Sequence, residues 1–396
     1  MDVQTFEIAI ADEVLSDLRE RLRRTRWPDQ VSESAWAYGT DQTYLRQLVK
    51  YWIEKFDWRA QERRLNQFPH FLATVEGLRL HFIHQRGRGP KPFPLLITHG
   101  WPGSFVEFTE IIGPLTDPAA HGGDPADAFD VVIPSLPGYG FSERPSAPGM
   151  DMLRVAALFA KLMEDLGYTR WGAQGGDWGA GVSTVLGGAF ADRVAAIHLN
   201  MLIGVRPPSN DPGNLSDDDR ALLAKMNEFR REETAYMQVQ GTKPQTVGHA
   251  LNDSPAGLAS WIVEKFRTWS DCGGNVEKRF TKDQLLTNIT LYWVTETINS
   301  SMRLYYETMH SPLLRSAFEE GTSGSGSSGG GAAMRVATPT GVASFPAEIY
   351  RPPRAWAEST YNITHWSDMP EGGHFAAMEV PGLLVDDVRK FFRQVR

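Results

Sequence analysis

Cysteine is nearly absent from this sequence: Cys272 stands alone among 396 residues. A single thiol excludes an intrachain disulfide, so the fold does not require an oxidising compartment. No apolar run approaches the roughly 18–20 residues that a membrane helix needs. Residues 1–15 also lack the basic segment and apolar core of a signal peptide. We therefore expect a cytoplasmic protein with no membrane anchor.

Basic residues are outnumbered by acidic ones, 40 against 48, so the formal net charge is −8. An acidic balance argues against a nucleic-acid partner or binding to an anionic membrane. With 41% hydrophobic and 22% charged residues, the composition is that of an ordinary soluble protein. The chain is long enough for one large core or for two domains.

Short apolar segments alternate with helical patterns in the first half of the chain. We predict strands at 93–98, 129–134, 171–174 and 194–199, with helices at 152–166 and from 177 to about 190. Such alternation predicts an α/β fold, with a mostly parallel sheet covered by helices on both faces. Ahead of it we predict an amphipathic helix over 4–24, preceded by a short extended piece and capped by Asp12. A helix at 44–56 and a hairpin at 68–84 follow.

The alternation stops after residue 205 and resumes near the C-terminus. Helices predicted at 216–236 and 282–309 indicate a helical cap inserted between two strands. Strands at 334–339 and 361–366 and a helix at 381–395 complete the sheet pattern. We therefore divide the chain into an N-terminal region (1–90), two core segments (91–205 and 334–396) and a cap (206–333). A Gly/Ser-rich stretch at 321–331 predicts a flexible surface loop.

The segment Gly175-Gly176-Asp177-Trp178-Gly179 joins a predicted strand to a predicted helix. Small residues around one polar residue are what a sharp, strained strand-to-helix turn needs. Such an elbow presents one side chain above the sheet edge, where a carboxylate can attack carbon and form an ester. The alternative is that Asp177 only caps the helix, and this segment alone leaves both interpretations open.

Two later residues fit the chain order nucleophile, acid, histidine. Glu348 follows the strand predicted at 334–339, and His374 lies in a glycine-flanked loop after the last strand. Each has a structural alternative, a solvated loop charge or a capping histidine, but with Asp177 they favour a catalytic set. His81 and His84 do not suggest a metal site, because strand positions three apart face opposite sides.

Several motifs resemble the epoxide hydrolases of the microsomal type, in the α/β-hydrolase superfamily. In the core they are His99-Gly100-Trp101-Pro102, the Asp177 elbow, Phe345-Pro346-Ala347-Glu348 and Gly372-Gly373-His374-Phe375. The cap motifs Thr242-Lys243-Pro244 and Ser300-Ser301-Met302-Arg303-Leu304-Tyr305 match too, as does the N-terminal region with Trp27-Pro28. The resemblance covers nearly the whole chain and implies an α/β-hydrolase fold. It indicates a soluble, microbial-like member, because the anchor of the membrane-bound members is absent.

The resemblance implies an epoxide hydrolase that converts an epoxide and water to a vicinal diol through a covalent ester. Asp177 would be the nucleophile, His374 the general base and Glu348 the acid that orients it. Tyr236 and Tyr305 match the family's pair of cap tyrosines, which donate a proton to the epoxide oxygen.

The backbone N–H groups of Trp101 and Trp178 would form the oxyanion hole. The side chains of Trp101, Trp178 and Phe375 would line the substrate pocket. His99 would organise its loop. No metal or organic cofactor is needed for this chemistry.

Three alternatives remain at this point. A haloalkane dehalogenase shares the Asp elbow and the His, but its cap uses Trp or Asn halide donors where this chain has the tyrosine pair. An esterase needs Ser at 177. A non-catalytic binding protein of the same fold is disfavoured because Asp177, Glu348 and His374 are all present. The exposed N-terminal arm leaves packing on the cap or in a homodimer open.

Overall fold

The computed structural model describes residues 2–207, 209, 212–314 and 335–396. The Gly/Ser-rich stretch at 321–331 lies outside the described residues, as does Met334 at the start of a predicted strand. Among the helices that are described, none combines the length and the apolar character needed to cross a membrane.

One sheet runs through the molecule, built from nine strands in the described residues. They are β1 (Val3–Phe6), β2 (His70–Val75), β3 (Leu78–Gln85), β4 (Phe93–Thr98), β5 (Phe129–Pro134), β6 (Trp171–Gly175), β7 (Val194–Leu199), β8 (Val336–Ser344) and β9 (Tyr361–Asp368). Their spatial order is β1-β2-β3-β5-β4-β6-β7-β8-β9. The pairings from β5 across to β9 are parallel, whereas β1, β2 and β3 pair antiparallel at one side. The predicted strands 93–98, 129–134 and 194–199 and the hairpin are confirmed.

The helices of the described residues form the layers around this sheet and a separate group between β7 and β8. They are α1 (Asp12–Arg23), α2 (Gln42–Glu54), α3 (Trp58–Leu65), α4 (Thr109–Thr116), α5 (Met152–Asp165), α6 (Asp177–Ala189), α7 (Asp217–Glu233), α8 (Ala235–Thr242), α9 (Pro244–Leu251), α10 (Pro255–Thr268), α11 (Lys282–Val294), α12 (Ile298–Met309), α13 (Arg354–Ala357), α14 (Ala376–Glu379) and α15 (Pro381–Phe392). Helices α5 and α6 pack together on the sheet, and α4 packs with α15. The group α7–α12 occupies the chain positions where we predicted the cap.

Three predicted helices differ from the structure at an end or by a break. The predicted helix at 282–309 is two helices, because Glu296 adopts a φ of 53° between them, and a left-handed residue ends an α-helix. The predicted helix at 216–236 ends at Glu233, so Tyr236 belongs to α8. At the N-terminus, Asp12 is the first residue of α1 rather than its cap, which is Ala11, and residues 3–6 form an edge strand.

The strand predicted to end at Pro339 continues to Ser344 as β8. Proline lacks the N–H that a sheet ladder needs. The register of β8 against β9 shifts between Val336 and Pro339, which accommodates the proline.

The N-terminal arm, α1 and α2 with the loop between them, packs on the cap. The Arg21 guanidinium pairs with Asp253 at 2.8 Å, and the Thr40 hydroxyl donates to the Ser260 carbonyl oxygen at 2.7 Å. Leu15, Leu18 and Leu22, the apolar face of α1, are buried. These contacts favour the first of the two alternatives left open for the arm.

Candidate active site

Asp177 stands at the turn from β6 into α6 with a φ of 49°, a conformation that side chains other than glycine rarely adopt. It is the first residue of α6, and the N-cap position belongs to Gly176, which makes no side-chain capping bond. The structure therefore rules out the helix-cap alternative. The positive end of α6 lies directly below the carboxylate.

Glycines around the elbow leave room for close backbone approach. A Cβ on Gly176 would lie 2.5 Å from the amide nitrogen of Asn200, and one on Gly179 would lie 2.6 Å from the Thr98 carbonyl carbon. A Cβ on Gly100 would collide with the Asp177 side chain itself. Gly176 and Gly179, two of the small residues that marked this segment in the sequence, are therefore required by contacts with Asn200 and Thr98.

The two oxygens of the Asp177 carboxylate have different surroundings. Oδ1 accepts a hydrogen bond from the backbone N–H of Trp101 at 2.9 Å. Oδ2 lies 3.5 Å from Nε2 of His374. The N–H of Trp178 lies in the first turn of α6, where an amide has no acceptor within the helix. Oδ1 is thus held by the predicted oxyanion donor, Trp101, whereas Oδ2 faces the predicted base, His374.

His374 and Glu348 form a buried pair on neighbouring loops. Nδ1 of His374 lies 2.7 Å from Oε1 of Glu348, and both side chains are at most 3% exposed. The Ala347 N–H donates to the Gly372 oxygen at 3.1 Å, which ties the loop after β8 to the loop after β9. The backbone N–H of His374 donates to the carbonyl oxygen of Trp269 at 2.9 Å.

Opposing effects act on the pKa of His374. Burial alone would lower this pKa, but the charge of Glu348 and the contacts with Asp177 raise it well above its ordinary value. The imidazole therefore holds a proton more firmly than a free histidine does. Neutralising Asp177 would remove one of the contributions that raise the pKa.

The two cap tyrosines face the elbow from α8 and α12. Their ring centroids are 6.0 Å apart. Tyr236 stacks on Trp101 at 5.2 Å, and Tyr305 packs edge-on against Trp178 at 4.7 Å. Burial raises the pKa of both phenols, and the negative charge of Asp177 adds to this effect. Both hydroxyls therefore stay protonated as hydrogen-bond donors.

A small cavity lies beside Asp177 and His374, and neither cap tyrosine lines it. Its volume is about 20 Å³, enough for roughly one water molecule. The lining residues come from the loops that end β4, β6, β7 and β9 and from the first helices after them: Thr98, His99, Gly100, Trp101, Glu107, Phe108, Gly176, Asp177, Asn200, His374, Phe375, Ala376, Ala377 and Leu384. Trp101 and Phe375 of the predicted pocket residues line it, whereas the Trp178 side chain does not and packs on Tyr305 instead.

Known proteins resemble this chain in both sequence and fold. Residues 3–108 match the family described as epoxide hydrolase N terminus, and residues 94–246 match the alpha/beta hydrolase fold. A Stigmatella aurantiaca protein, provisionally named an epoxide hydrolase, is 44% identical over 395 residues, which are 100% of this chain and 86% of that protein. Epoxide hydrolase 1 of Sus scrofa is 39% identical across 98% of this chain and 88% of its own length.

The chain belongs to the epoxide hydrolase family.

The solved structure of Aspergillus niger epoxide hydrolase agrees with this assignment. It superposes on this chain with a TM-score of 0.85 and is 33% identical in sequence. The superposition covers 100% of this chain and 97% of the Aspergillus niger chain. This epoxide hydrolase therefore has the α/β-hydrolase fold predicted for it.

Sequence reasoning missed two residues around the site of this epoxide hydrolase. Trp269 packs against His374 at 5.1 Å and against Tyr236 at 5.1 Å. Its position at the end of α10, three residues after the buried Phe266, was a weak signal. Glu107 lines the cavity, and its signal was a lone charge in the apolar run Phe105-Val106-Glu107-Phe108.

Three buried histidines, His70, His81 and His99, make hydrogen bonds within the core. Nε2 of His81 lies 2.9 Å from Nδ1 of His70, and Nδ1 of His81 lies 2.9 Å from the Ser135 hydroxyl. Nε2 of His99 accepts the backbone N–H of Leu136 at 3.2 Å. Within the part of the chain that the structure describes, no group of three or more His, Cys, Asp or Glu could hold a metal ion.

Proposed function

We propose that this epoxide hydrolase works through a covalent ester on Asp177. The observation that carries the proposal is the asymmetry of its carboxylate, with Oδ1 bonded to the Trp101 N–H and Oδ2 facing His374. Oδ2 attacks an epoxide carbon, and the carbon–oxygen bond of the ring breaks. Oδ1 then becomes the carbonyl oxygen of the ester, already placed against an oxyanion donor.

Tyr236 and Tyr305 act as the acids in this first half-reaction. Their hydroxyls hydrogen-bond the ring oxygen, and one of them donates its proton as negative charge develops there. Support comes from their place on α8 and α12 above the elbow and from the Asp177 charge that both phenols sense. An alkoxide is far more basic than a phenolate, so the proton transfer is downhill.

His374 acts as the base in the second half-reaction. Esterification removes the Asp177 charge, so the pKa of His374 falls from its raised value. The proton that the imidazole held passes to the phenolate left by the first half-reaction, and Nε2 can then accept a proton from water. It takes a proton from water, and the resulting hydroxide attacks the ester carbonyl carbon. Glu348, bonded to Nδ1 at 2.7 Å, fixes the ring orientation and balances the imidazolium charge.

A panel of substrates tests the proposal. Aryl and alkyl epoxides, haloalkanes and simple esters are incubated with the wild type and with Asp177→Ala. We expect diol from epoxides alone, and none from the variant. Halide release from haloalkanes would mean that Asp177 serves a dehalogenase reaction instead. Near-normal diol formation by the variant would exclude Asp177 as the nucleophile.

A further inference from the structure

One carboxyl group on the cavity wall has no part in either half-reaction. Glu107 lies in a one-turn helix, Phe105–Phe108, which follows the loop that carries the Trp101 N–H. It lines the same cavity as Asp177 and His374. The charges of both groups act on the Glu107 carboxyl, which places it near the reacting atoms.

The position of this carboxyl is built into the loop. Phe105 and Phe108, on either side, are at most 5% exposed and anchor the turn in the core. The carboxyl rests against Gly103, where any Cβ would overlap it, and accepts a hydrogen bond from the backbone N–H of Ser104. No ion pair of the described residues includes Glu107, whereas Glu110, three residues later, pairs with Arg64 at the surface.

Glu107 is a neutral acid in this setting. Burial raises its pKa to about 8; the charge of His374 opposes the shift and that of Asp177 adds to it. A neutral carboxyl accepts a hydrogen bond through its carbonyl oxygen without adding a negative charge next to the attacking water. It therefore offers a polar contact to a molecule in the cavity without repelling a hydroxide.

Ester hydrolysis makes a specific demand on this cavity, which holds about one water molecule. That water must point one O–H at Nε2 of His374 and a lone pair at the carbonyl carbon of the Asp177 ester. Its second O–H needs an acceptor, because a donor left unpaired in a buried site is costly. Glu348 is engaged on the far side of the imidazole, at Nδ1.

We propose that Glu107 positions the hydrolytic water, its carboxyl accepting one hydrogen bond from the water while His374 removes the other proton. The inference rests on the ester mechanism proposed above. The water O–H bond breaks and its proton moves to Nε2, while a bond forms between the water oxygen and the ester carbon. The bond from that carbon to the diol oxygen then breaks, and the leaving oxygen takes the proton from His374. The second water proton, left on the Asp177 carboxyl, passes to Nε2 of His374 and restores the carboxylate. Glu107 keeps its own proton throughout.

Rapid-quench mass spectrometry of the peptide that carries Asp177 separates the two half-reactions. Styrene oxide is mixed with the wild type, Glu107→Met, Glu107→Gln and Glu107→Asp, and the ester is followed as it forms and decays. Loss of one hydrogen bond to the water should slow ester decay about 10- to 100-fold in the Met variant, with formation unchanged. The Gln variant, which keeps a carbonyl oxygen at the same place, should recover most of the decay rate.

Controls separate positioning from a structural role. Glu110→Met makes the same change at the surface ion pair with Arg64 and should leave both steps unchanged. Glu107→Asp keeps the acid but withdraws it by one methylene, so it should slow decay even where the Met variant fails to fold. Normal decay in the Met and Asp variants, or formation slowed as much as decay, would overturn the assignment. A wild type and a His374→Gln variant that never form an ester would instead refute the covalent scheme itself.

Discussion

A single methyl group at Gly100 should disable the site although every proposed catalytic side chain is kept. A Cβ there would lie 2.6 Å from Cγ of Asp177 and closer still to Oδ1, whereas ordinary contacts begin at 3.4 Å. The carboxylate must therefore retreat by about 1 Å, a displacement that is able to cost about 100-fold in rate. The same movement takes Oδ1 away from the Trp101 N–H, now 2.9 Å distant.

The expected loss can be bounded by what one oxyanion donor contributes. Removing such a donor typically lowers kcat by about 10²–10³, or about 2.7–4 kcal/mol of barrier. We expect Gly100→Ala to lower kcat for styrene oxide by this amount, with KM changed much less. Steady-state diol formation measures both constants, and thermal unfolding checks that the protein remains folded.

Gly382→Ala is the matched control for this substitution. A Cβ on Gly382, in the first turn of α15, would meet no atom within 4 Å, so the same added methyl should leave turnover unchanged. If folded Gly100→Ala kept a kcat within about threefold of the wild type, Oδ1 would not depend on the Trp101 donor and the oxyanion assignment would be wrong.

Two further predictions concern proton donation and stability. Tyr236→Phe with Tyr305→Phe should slow ester formation by about 10²–10⁴, the usual contribution of general acid catalysis, while each single change costs less; a double variant with normal ester formation in a rapid-quench assay would move the acid elsewhere. The second prediction concerns Asp387, which accepts hydrogen bonds from buried His198 at 2.9 Å and from His365 at 2.8 Å. Burial alone would raise the pKa of this carboxyl, but the hydrogen bonds hold it well below the ordinary value. A carboxyl whose pKa is lowered in the folded state stabilises the fold at pH values above its unfolded pKa, near 3.9, and this stabilisation is lost as the pH falls. Asp387→Asn should therefore lower the free energy of unfolding by about 2–4 kcal/mol at pH 7. The difference from the wild type should be smaller at pH 3. Denaturant unfolding at both pH values measures this, and an equal difference at both would contradict the assigned ionisation.

The sequence was most informative where one local pattern dominates. The strands at 93–98, 129–134 and 194–199 are buried apolar runs bounded by turns, and each was predicted with its exact bounds. Asp177, Glu348 and His374 could be predicted as one set because each lies on a loop after a strand, in the chain order nucleophile, acid, histidine. Such loops meet at one edge of a parallel sheet. The structure brings these three side chains together, with His374 between Asp177 and Glu348.

Features that depend on tertiary packing were beyond sequence reasoning. The break at Glu296 has no glycine or proline to mark it, so a continuous helix was the natural expectation. Trp269 reaches His374 only because the end of α10 docks on the loop after β9. Glu107 looked like a charge out of place in an apolar run, and only the cavity and Gly103 beside it explain its position.

A single turnover in water labelled with oxygen-18 tests the central claim most directly. Wild-type enzyme in excess over an epoxide is allowed one cycle, and the diol and the peptide that carries Asp177 are weighed by mass spectrometry. The ester mechanism predicts an unlabelled diol, because its new oxygen comes from Oδ2, and the label in the Asp177 carboxylate. A labelled diol with an unlabelled Asp177 would mean that water attacks the epoxide directly, and it would contradict the account.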